Sequence, residues 1–411
     1  MTKPQTKIIC FPDVRYSEEF VARAVANGAD LTLAGKLKWI EKSDKNQNLP
    51  RIIVEDLGNH EHVLMVLRHS LGERLGETTV VSFSEKNVLM TAFLNQALGG
   101  CGNTPTTAEL VRHKYKMKVV IERAGIPTPG YSMLNDIAGL KKLSTSEGRI
   151  VLKPVDGWAS QGVRVFESLE KLLNSQAQEV KEAKQNPDGY MLEQFIDAEM
   201  YHVDGVVRHG EVIRSYVGHY GRPLFGIGTR KGANFLDCIL HDDGILVKRL
   251  REAHKRVVQA LGITFGATHV EFFVEKSTSR ILFCEAAGRS PGNGIIKLHE
   301  IACGMSTMAL LADIACKKEI PILPKVQRCA ALICINSPSG RILQMDDLSA
   351  YADWPEVFST EVVARVGDQI VSNEYLSEIA RVYLTGDSEA ACWKTSGTIE
   401  NNFRYELGAS Q

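Results

Sequence analysis

The stretch HVEFFVEKSTSRILFCEAAGRS, residues 269–290, contains two apolar runs that are joined by a short polar segment. Successive side chains of a β-strand point to opposite faces, so the first run places His269 and Glu271 on one face. The same count places Phe283 and Glu285 together in the second run. The two runs therefore predict a β-hairpin whose loop lies in the segment KSTS.

This hairpin would bring two carboxylates together. With residues 277–279 as the loop, Glu271 lies directly opposite Glu285, and like charges at such positions repel each other. A divalent cation held by two carboxylates, water and nucleotide phosphates would offset the repulsion, and this ligand set is typical of magnesium. A solvated strand face with two unrelated glutamates stays open as the alternative, because a shift of one residue separates the carboxylates.

An arginine follows the second carboxylate in a glycine-rich segment. Arg289 lies four residues after Glu285, where its guanidinium could reach charge that develops on a phosphorylated substrate near the metal. By itself an arginine in a turn predicts only a surface cation. Its position just beyond the strand that carries Glu285 favours the catalytic interpretation.

A lysine and a glycine-bearing loop follow another apolar strand. Lys153 ends the run RIVLK, and the loop DGWASQG behind it contains Gly157, Ser160 and Gly162. One ammonium group and several backbone N–H groups can surround phosphates in this way. The segment lacks the order G-x-x-x-x-G-K-[ST] and is therefore not a P-loop.

The run YMLEQFI predicts a second kind of contact with a nucleotide. Glu193 interrupts an apolar strand, and Phe195 and Ile196 follow it. A strand that leaves its sheet at this point would offer backbone groups to the edge of a base and apolar side chains to its ring. An edge strand with an exposed glutamate is the alternative.

Composition narrows the class of protein. The 411 residues are enough for two or three domains. The 48 Lys and Arg against 49 Asp and Glu give a net charge of -1, which argues against nucleic acid or an anionic membrane as partner. Nine cysteines without a C-x-x-C pair argue against a disulfide framework or a structural zinc site. No apolar run reaches the ~18 residues of a membrane span, and a cytoplasmic protein is expected.

The order of the runs predicts the organisation of the chain. Apolar runs such as KIICF and TVVSFS alternate with helical patterns over about the first hundred residues, which predicts a β-α-β-α unit with a parallel sheet. A turn-rich break at 99–105 precedes a helix with Lys114 and Lys118, and the His209-Gly210 turn could join a hairpin. Residues 220–234, with four glycines and three cations, are either a mobile lid over a phosphate-bearing ligand or a solvated loop.

Taken in order, these motifs resemble a known superfamily. The succession HKYKMKVVIERAGIPTP, IVLKPVDGWASQGV, LEQFIDAEMYHVDGVV, HVEFFV and FCEAAGR resembles the ATP-grasp carboxylate-amine ligases, and within them most closely the L-amino-acid ligases. The resemblance implies an α/β (α+β) ATP-grasp fold. Its units would be an N-terminal parallel α/β domain (1–110), a two-lobed nucleotide-binding region (111–318, with a lid lobe at about 128–200) and a C-terminal subdomain (319–411).

The resemblance also implies roles for individual residues. Lys114 and Lys153 would contact nucleotide phosphates, Ser160 and Gly162 would belong to the loop over them, and Glu193, Phe195 and Ile196 would receive adenine. Glu271 and Glu285 would hold metal, and Arg289 would act on the acyl phosphate. Ser290, Gly292 and Trp158 are further candidates for contact with substrate. His269, on the predicted face of Glu271, could contact substrate or assist with the amine proton, and a purely structural histidine stays open as the alternative.

Three departures from the family pattern bear on these roles. The family commonly has a side-chain ligand where this chain has Ala287, so one metal ion would be held less completely. Met200 stands where a glutamate would bind the ribose, and only the neighbouring Glu199 could replace it. In the glycine loop, Trp158 replaces a small residue and Gln161 replaces a frequent cation.

The implied function is the joining of two L-amino acids to a dipeptide, with ATP consumed to ADP and phosphate through an acyl phosphate. The resemblance implies that the protein uses ATP and one or two Mg²⁺ ions, and Mn²⁺ stays open as an alternative ion. A homodimer also stays open. The substrate side chains are not fixed by the sequence, although Glu85 could meet a cationic one if it lines the pocket. Three alternatives stay open: a ligase of another carboxylate, a nucleotide-binding regulatory protein without catalysis, and a phosphotransferase that stops at a phosphorylated product.

Overall fold

The computed structural model describes residues 5–45, 48–144, 148–158, 161–222, 234–371 and 377–408. Within these ranges the chain forms four β-sheets with helices packed against them. Most of the segment 220–234 lies outside the described residues, and so does Ser160 of the glycine-bearing loop.

The N-terminal unit is a parallel sheet in the order β3-β2-β1-β4, which confirms the β-α-β-α prediction. After Lys7, its first strand is apolar because both faces are covered: Ile8 and Cys10 pack in one cluster and Ile9 and Phe11 in another. The elements are β1 (Lys7–Phe11), α1 (Ser17–Ala26), β2 (Asp30–Gly35), α2 (Leu37–Ser43), β3 (Arg51–Ile53), α3 (His60–Leu71), β4 (Thr79–Ser82) and α4 (Val88–Leu98).

Two helices lead into a small antiparallel lobe with the strand order β5-β8-β6-β7. Its core packs Leu152 and Leu192 from the sheet against Leu172 and Val180 from the helices. The elements are α5 (Pro105–Arg112), α6 (Lys114–Arg123), β5 (Tyr131–Met133), α7 (Ile137–Ser144), β6 (Ile150–Pro154), β7 (Arg164–Phe166), α8 (Leu169–Leu173), α9 (Gln178–Gln185) and β8 (Tyr190–Gln194).

The largest sheet has eight strands in the order β13-β12-β9-β10-β11-β14-β18-β16. Strands from the last quarter of the chain continue this sheet, since β14 pairs with β11, so a boundary at 319 divides one sheet between two units. Its elements are β9 (Ala198–Arg208), β10 (Glu211–Tyr220), β11 (Phe235–Ile239), α10 (Ile245–Ala260), β12 (Phe265–Glu275), β13 (Ile281–Ala287), α11 (Ile295–Cys303), α12 (Thr307–Ala315), β14 (Cys329–Asn336), β16 (Val357–Val362) and β18 (Glu378–Gly386).

A three-stranded sheet in the order β17-β15-β19 completes the C-terminal part. Together with helices it packs on the outer strands of the large sheet through Ile342, Ile370 and Ile399. Its elements are β15 (Gly340–Met345), α13 (Ser349–Ala352), β17 (Gln369–Ile370), α14 (Glu389–Asn402) and β19 (Tyr405–Gly408).

The predicted hairpin of β9 and β10 is confirmed. Arg208 pairs with Glu211 across the turn, where His209 has a φ of 54° and Gly210 a φ of 80°. Two successive residues with positive φ are the conformation that a two-residue hairpin turn requires, and glycine adopts it without steric cost.

The hairpin of β12 and β13 contains a bulge that the sequence did not predict. From the loop end, Val274 pairs with Ile281 and Phe272 with Phe283, but Glu271 pairs with Glu285, which leaves Cys284 as the extra residue. The expected pairing of the two glutamates is therefore confirmed. The expectation that Phe283 and Glu285 share a face is wrong, because an extra residue reverses the alternation.

The two faces of this hairpin consequently have different neighbours. Phe283 packs with Phe272 in the core beneath α6 and α10, while Glu271, Cys284 and Glu285 line a cavity on the other side. The loop also differs from the expected 277–279, since β12 ends at Glu275 and β13 begins at Ile281.

Among the described helices, none by itself has the length and apolar composition to span a membrane. The pair α11 and α12 meets that criterion only when both are taken together, and the pair is bent by 91°.

Candidate functional site

A cavity of about 190 Å³ lies where the N-terminal unit, the small lobe and the large sheet meet. Clefts where domains meet are common places for small-molecule sites. Most of the residues singled out from the sequence line it: Lys114, Lys153, Trp158, Glu193, Phe195, Ile196, His269, Glu271, Glu285, Arg289 and Gly292.

The remaining candidates lie elsewhere. Glu199 is exposed and accepts a hydrogen bond from the Tyr201 hydroxyl (3.2 Å), whereas its neighbour Met200 lines the cavity. Gly162 has a φ of 70° and lies between the lining residues Gln161 and Val163. Ser290 lines a second, adjoining cavity, and Ser160 is outside the described residues.

The two opposed carboxylates have different surroundings. Lys114 Nζ lies 3.1 Å from Glu285 Oε2 and also donates to the Gly157 carbonyl (2.7 Å). Burial opposes ionisation of Glu285, but the ammonium groups of Lys114 and Lys153 lower its pKa to about 2. Glu271 instead accepts a hydrogen bond from the Tyr220 hydroxyl (3.0 Å). Glu285 is thus ionised at neutral pH beside a second carboxyl group.

A divalent cation fits this pair. Carboxylate oxygens are the ligands that magnesium prefers, and Glu271 and Glu285 project into the same cavity from adjacent strands. Ala287 also lines the cavity and has no ligand atom in its side chain, whereas Asn293, six residues later, offers an amide to the same space. Glu271 and Glu285 are therefore the residues that would hold the ion.

A buried ion triad lies beneath the lysines. The side chain of Glu193 is 4 % exposed and contacts both Lys118 Nζ (2.9 Å) and Lys153 Nζ. Burial alone would raise the pKa of Glu193, but the two ammonium groups lower it. The alternative of an exposed glutamate on an edge strand is wrong, since β8 lies between β5 and β6. Glu193 thereby fixes the position of Lys153. Burial lowers the pKa of Lys153, but the negative charge of Glu193 raises it above its ordinary value.

Helix α6 supplies two of these lysines for a geometric reason. Lys114 and Lys118 are four residues apart and therefore share one face of the helix. Lys118 lies deeper, where its ammonium also donates to the Thr128 hydroxyl (2.9 Å). Burial lowers the pKa of Lys118 despite the attraction of Glu193. Lys114, one turn earlier, reaches the cavity.

Behind the carboxylates lies a buried network of histidines around Asp204. Its carboxylate contacts His269 Nδ1 (2.6 Å), His202 Nδ1 (2.9 Å) and His299 Nε2 (2.9 Å), and His202 Nε2 contacts Asp237 (2.8 Å). Burial opposes the charged forms of both Asp204 and His202. The attraction between the two side chains nevertheless keeps the pKa of Asp204 well below its ordinary value and the pKa of His202 well above its ordinary value.

This network orients one histidine toward the cavity. With Nδ1 held by Asp204, the Nε2 atom of His269 faces the Tyr220 hydroxyl (3.2 Å) and Glu271 (3.4 Å). His202, Asp204 and His269 are close enough together to suggest a metal site. Their direct N–O distances of 2.6–2.9 Å are those of hydrogen bonds, however, and we interpret the group as a positioning network.

A glutamate of the N-terminal unit holds Arg289 in place. Glu85 Oε2 accepts from Arg289 Nε (2.7 Å), and its Oε1 accepts from Arg112 (2.6 Å). Arg289 also donates to the Ser290 carbonyl (2.7 Å). Trp158 lies over the same cluster, with its ring 5.9 Å from the Arg112 guanidinium. Glu85 lines the cavity, as the sequence left open, but its charge is already paired with two arginines.

Several of these residues were not assigned a role from the sequence. The alternation His202-x-Asp204 on one strand was a signal that could have been read, because it places two polar side chains on one face of an apolar run. Tyr220 and the Glu85–Arg289 pair gave no local signal. Their partners are distant in the chain and belong to other elements.

Comparison with known proteins bears on the fold. No family model matches the chain. The L-arginine-specific L-amino acid ligase of Bacillus subtilis is 23% identical over 317 residues, or 75% of each chain. The L-amino acid ligase of Bacillus licheniformis has a TM-score of 0.76 at 21% identity, with 100% of both chains covered.

A second similar structure contains nucleotide. The biotin carboxylase domain of the 2-oxoglutarate carboxylase of Hydrogenobacter thermophilus, in complex with MgADP and bicarbonate, has a TM-score of 0.71 at 16% identity. The match covers 98% of this chain and 92% of the biotin carboxylase chain. The chain therefore has the ATP-grasp fold, and both the expected fold class and the resemblance to L-amino-acid ligases are confirmed.

Proposed function

We propose that this protein is an ATP-dependent carboxylate-amine ligase that joins two amino acids through an acyl phosphate. One observation carries the proposal: Glu271, Glu285, Lys114, Lys153 and Arg289 line a single cavity in a chain with the ATP-grasp fold. This arrangement provides carboxylates for a metal ion, cations for phosphates and a separate guanidinium for the reacting group. The similarity to the two Bacillus ligases supports amino acids as the substrates.

ATP would occupy the cavity along its length. Phe195 and Ile196, at the end of β8, offer apolar surface to the adenine ring, and Met200 lies nearby on β9. Lys114 and Lys153 lie toward the other end, within reach of Glu285, and would bind the phosphates. The negative charges of Glu193 and Glu285 keep these ammonium groups in place before the nucleotide binds.

The chemistry requires activation of a carboxylate, because oxide is too poor a leaving group for an amine to displace. The carboxylate of the first amino acid would take the γ-phosphoryl group of ATP and release ADP. Magnesium held by Glu271 and Glu285 would neutralise charge on the phosphates during this transfer. Arg289, fixed by Glu85, would stabilise charge on the acyl phosphate and then on the tetrahedral oxygen.

The second amino acid would attack with its free amine, and phosphate would leave. The His269 Nε2 atom faces the cavity beside Glu271 and is oriented by Asp204. This atom is placed to contact the incoming substrate or the proton that its amine releases. The products would be a dipeptide, ADP and phosphate.

The test combines nucleotide turnover with product identification. Purified protein is incubated with ATP, Mg²⁺ and pairs of L-amino acids, and ADP formation is measured beside mass spectrometry of the products. We expect ADP formation that depends on amino acids and an amide-linked product. Arg289→Ala should abolish the product and leave ATP binding within about twofold, whereas Arg328→Ala, at an exposed arginine outside the cavity, should keep wild-type activity.

Other outcomes would identify the alternatives. A phosphorylated amino acid without an amide product would indicate a phosphotransferase. Turnover with other carboxylates and none with amino acids would indicate a ligase of another substrate class. If ATP binds and no substrate produces ADP, the protein has a nucleotide-binding role without catalysis, and the proposal fails.

A further inference from the structure

A second cavity adjoins the first at Arg289. It has a volume of about 70 Å³ and lies between β4 and α4 of the N-terminal unit on one side and the start of β12 on the other. The segment 288–290, just after β13, forms the wall between the two cavities, and Arg289 lines both. A space of this size holds several water molecules, which corresponds to an aliphatic side chain of a few carbons.

The walls of this second cavity are mainly apolar. Val80, Phe83, Val88, Ala92 and Phe265 are among the apolar residues that line it. Among the described residues that line it, none is acidic, and Arg289 is the only one with a formal charge. A cationic side chain would lose its hydration there without gaining an opposite charge, and the single cation of the described walls, Arg289, is already paired with Glu85.

Two polar side chains of the walls, Ser82 and Asn95, are already hydrogen-bonded to groups of the protein. Ser82 donates to Asp13 (2.6 Å), and the Asn95 amide bonds both backbone groups of Val80 (2.8 Å each). The buried hydroxyl of Thr91 has no hydrogen-bond partner within the described part of the chain. The cavity therefore presents mainly carbon surface, with the hydroxyls of Thr91 and Ser290 among its polar groups.

A carboxylate close to the cavity is not free to bind a cationic side chain. Asp13 accepts hydrogen bonds from the Ser82 hydroxyl, the Phe83 and Ser84 amides and the Asn87 side chain. Burial raises its pKa, although these hydrogen bonds lower it. Glu85, on the other side of Arg289, is paired with two guanidinium groups.

We propose that the second cavity receives the side chain of the amino acid whose carboxylate is activated, and that it selects uncharged aliphatic side chains. The inference rests on the proposed ligase function. Arg289 would contact the reacting carboxyl group, and the side chain of the same amino acid begins only two bonds from that carbon. A substrate held by Arg289 therefore has its side chain next to the opening of the second cavity.

The selectivity follows from the chemistry of the walls. Each additional methylene group of a substrate that fills an apolar pocket raises kcat/KM by roughly 10–200-fold. Valine, leucine and methionine should therefore exceed glycine as the activated amino acid. Lysine and arginine should be poor in this position because no described residue of the walls is acidic. Aspartate and glutamate should be poor because the one cation among them, Arg289, is already paired with Glu85 and would contact the reacting carboxyl group. One relative is named for L-arginine, but the described residues that line this cavity include no acidic side chain.

The experiment changes the cavity volume in both directions. Ala92→Leu adds three carbons to the wall, and Val88→Ala removes two. Ala97→Leu makes the same change as the first variant at an exposed position of the same helix and serves as its control. For each variant, kcat/KM is measured with glycine, alanine, valine, leucine, methionine, lysine and glutamate as donors, and fragmentation of the product identifies its N-terminal residue.

We expect Ala92→Leu to lower kcat/KM for leucine and methionine at least tenfold while glycine and alanine keep more than half of their rates. Val88→Ala should shift the preference toward the longer side chains, and Ala97→Leu should match the wild type. A variant that does not fold loses all substrates equally, so the opposite shift in Val88→Ala keeps the inference testable.

The two proposals fail in different ways. If the wild-type protein forms dipeptides but lysine or glutamate serves as donor as well as leucine, the cavity inference is overturned and the ligase function stands. The same holds if Ala92→Leu and Val88→Ala leave the ratio of leucine to glycine unchanged. If no amino acid produces ADP, the ligase function itself fails.

Discussion

The substitution Glu193→Gln tests the buried ion triad that positions Lys153. It keeps the shape of the side chain and removes its charge, so that Lys118 and Lys153 become two ammonium groups without a carboxylate partner. Their side chains are only 1 % and 8 % exposed. Removal of one partner of a buried ion pair costs about 3–5 kcal/mol. With an unfolding entropy of about 2.1 cal/mol/K per residue, that loss lowers the melting temperature of a 411-residue protein by roughly 3–6 °C.

The pH dependence of this loss has a definite sign. In the variant, Lys118 loses the charge that opposes the lowering of its pKa by burial. The folded protein then releases this proton at a pH where the unfolded chain, with a lysine pKa of about 10.4, still binds it. Stability rises with pH wherever the unfolded state binds more protons. The difference from wild type should therefore shrink as the pH rises toward the lysine pKa of the unfolded chain, about 10.4.

The measurement is thermal unfolding of wild type, Glu193→Gln and the control Glu170→Gln at a series of pH values. Glu170 is exposed on a helix of the same lobe, and its substitution should change stability by less than about 0.5 kcal/mol. Adding Lys118→Met to Glu193→Gln removes one of the unpaired charges and should recover part of the loss. A melting temperature of Glu193→Gln within about 2 °C of wild type would refute the assigned role of the triad.

Three further predictions concern the site and the helix that leads into it. Glu85→Gln should lower kcat by roughly 10- to 100-fold with little change in the KM for ATP, because a hydrogen bond between charged groups contributes about 1.5–3 kcal/mol. An unchanged kcat would show that Arg289 does not depend on Glu85 for its position. Tyr220→Phe should weaken Mg²⁺ binding by roughly 10- to 100-fold, as loss of an outer partner of a metal ligand usually does, and isothermal titration within twofold of wild type would contradict this. Thr104→Ala removes the hydrogen bond to the Thr107 amide (3.1 Å) that caps α5 and should cost about 0.5–2 kcal/mol in urea unfolding, whereas Thr104→Ser should retain most of it.

The hairpin of β12 and β13 shows how a prediction can hold for a reason that was not foreseen. Alternation and an assumed loop of 277–279 placed Glu271 opposite Glu285, and the two residues do pair. The register at the loop is shifted by one residue from the expected one, and the bulge at Cys284 compensates for that shift. Without the bulge, Glu271 would face Cys284 and the second carboxylate would point into the core with Phe283.

The pattern of lysines gives a second example. The sequence predicted one helix that carries both Lys114 and Lys118. It could not show that Lys118 lies 2.9 Å from Glu193, because that contact joins α6 to β8 across the small lobe. The burial of Glu193 follows from the position of β8 between β5 and β6, which no local pattern indicates.

The amino-acid sequence was enough to predict the local helices and strands, a parallel sheet in the N-terminal unit and the charged residues at strand ends. These features depend on the period of the side chains and on turn residues, which are properties of short segments. Only the tertiary structure decided which charges meet: Glu85 with Arg289, Asp204 with three histidines, and Glu193 with two lysines. It also placed the apolar cavity beside Arg289. These contacts join segments far apart in the chain, so they depend on how the sheets pack against one another, which the spacing of residues along one strand or helix does not specify.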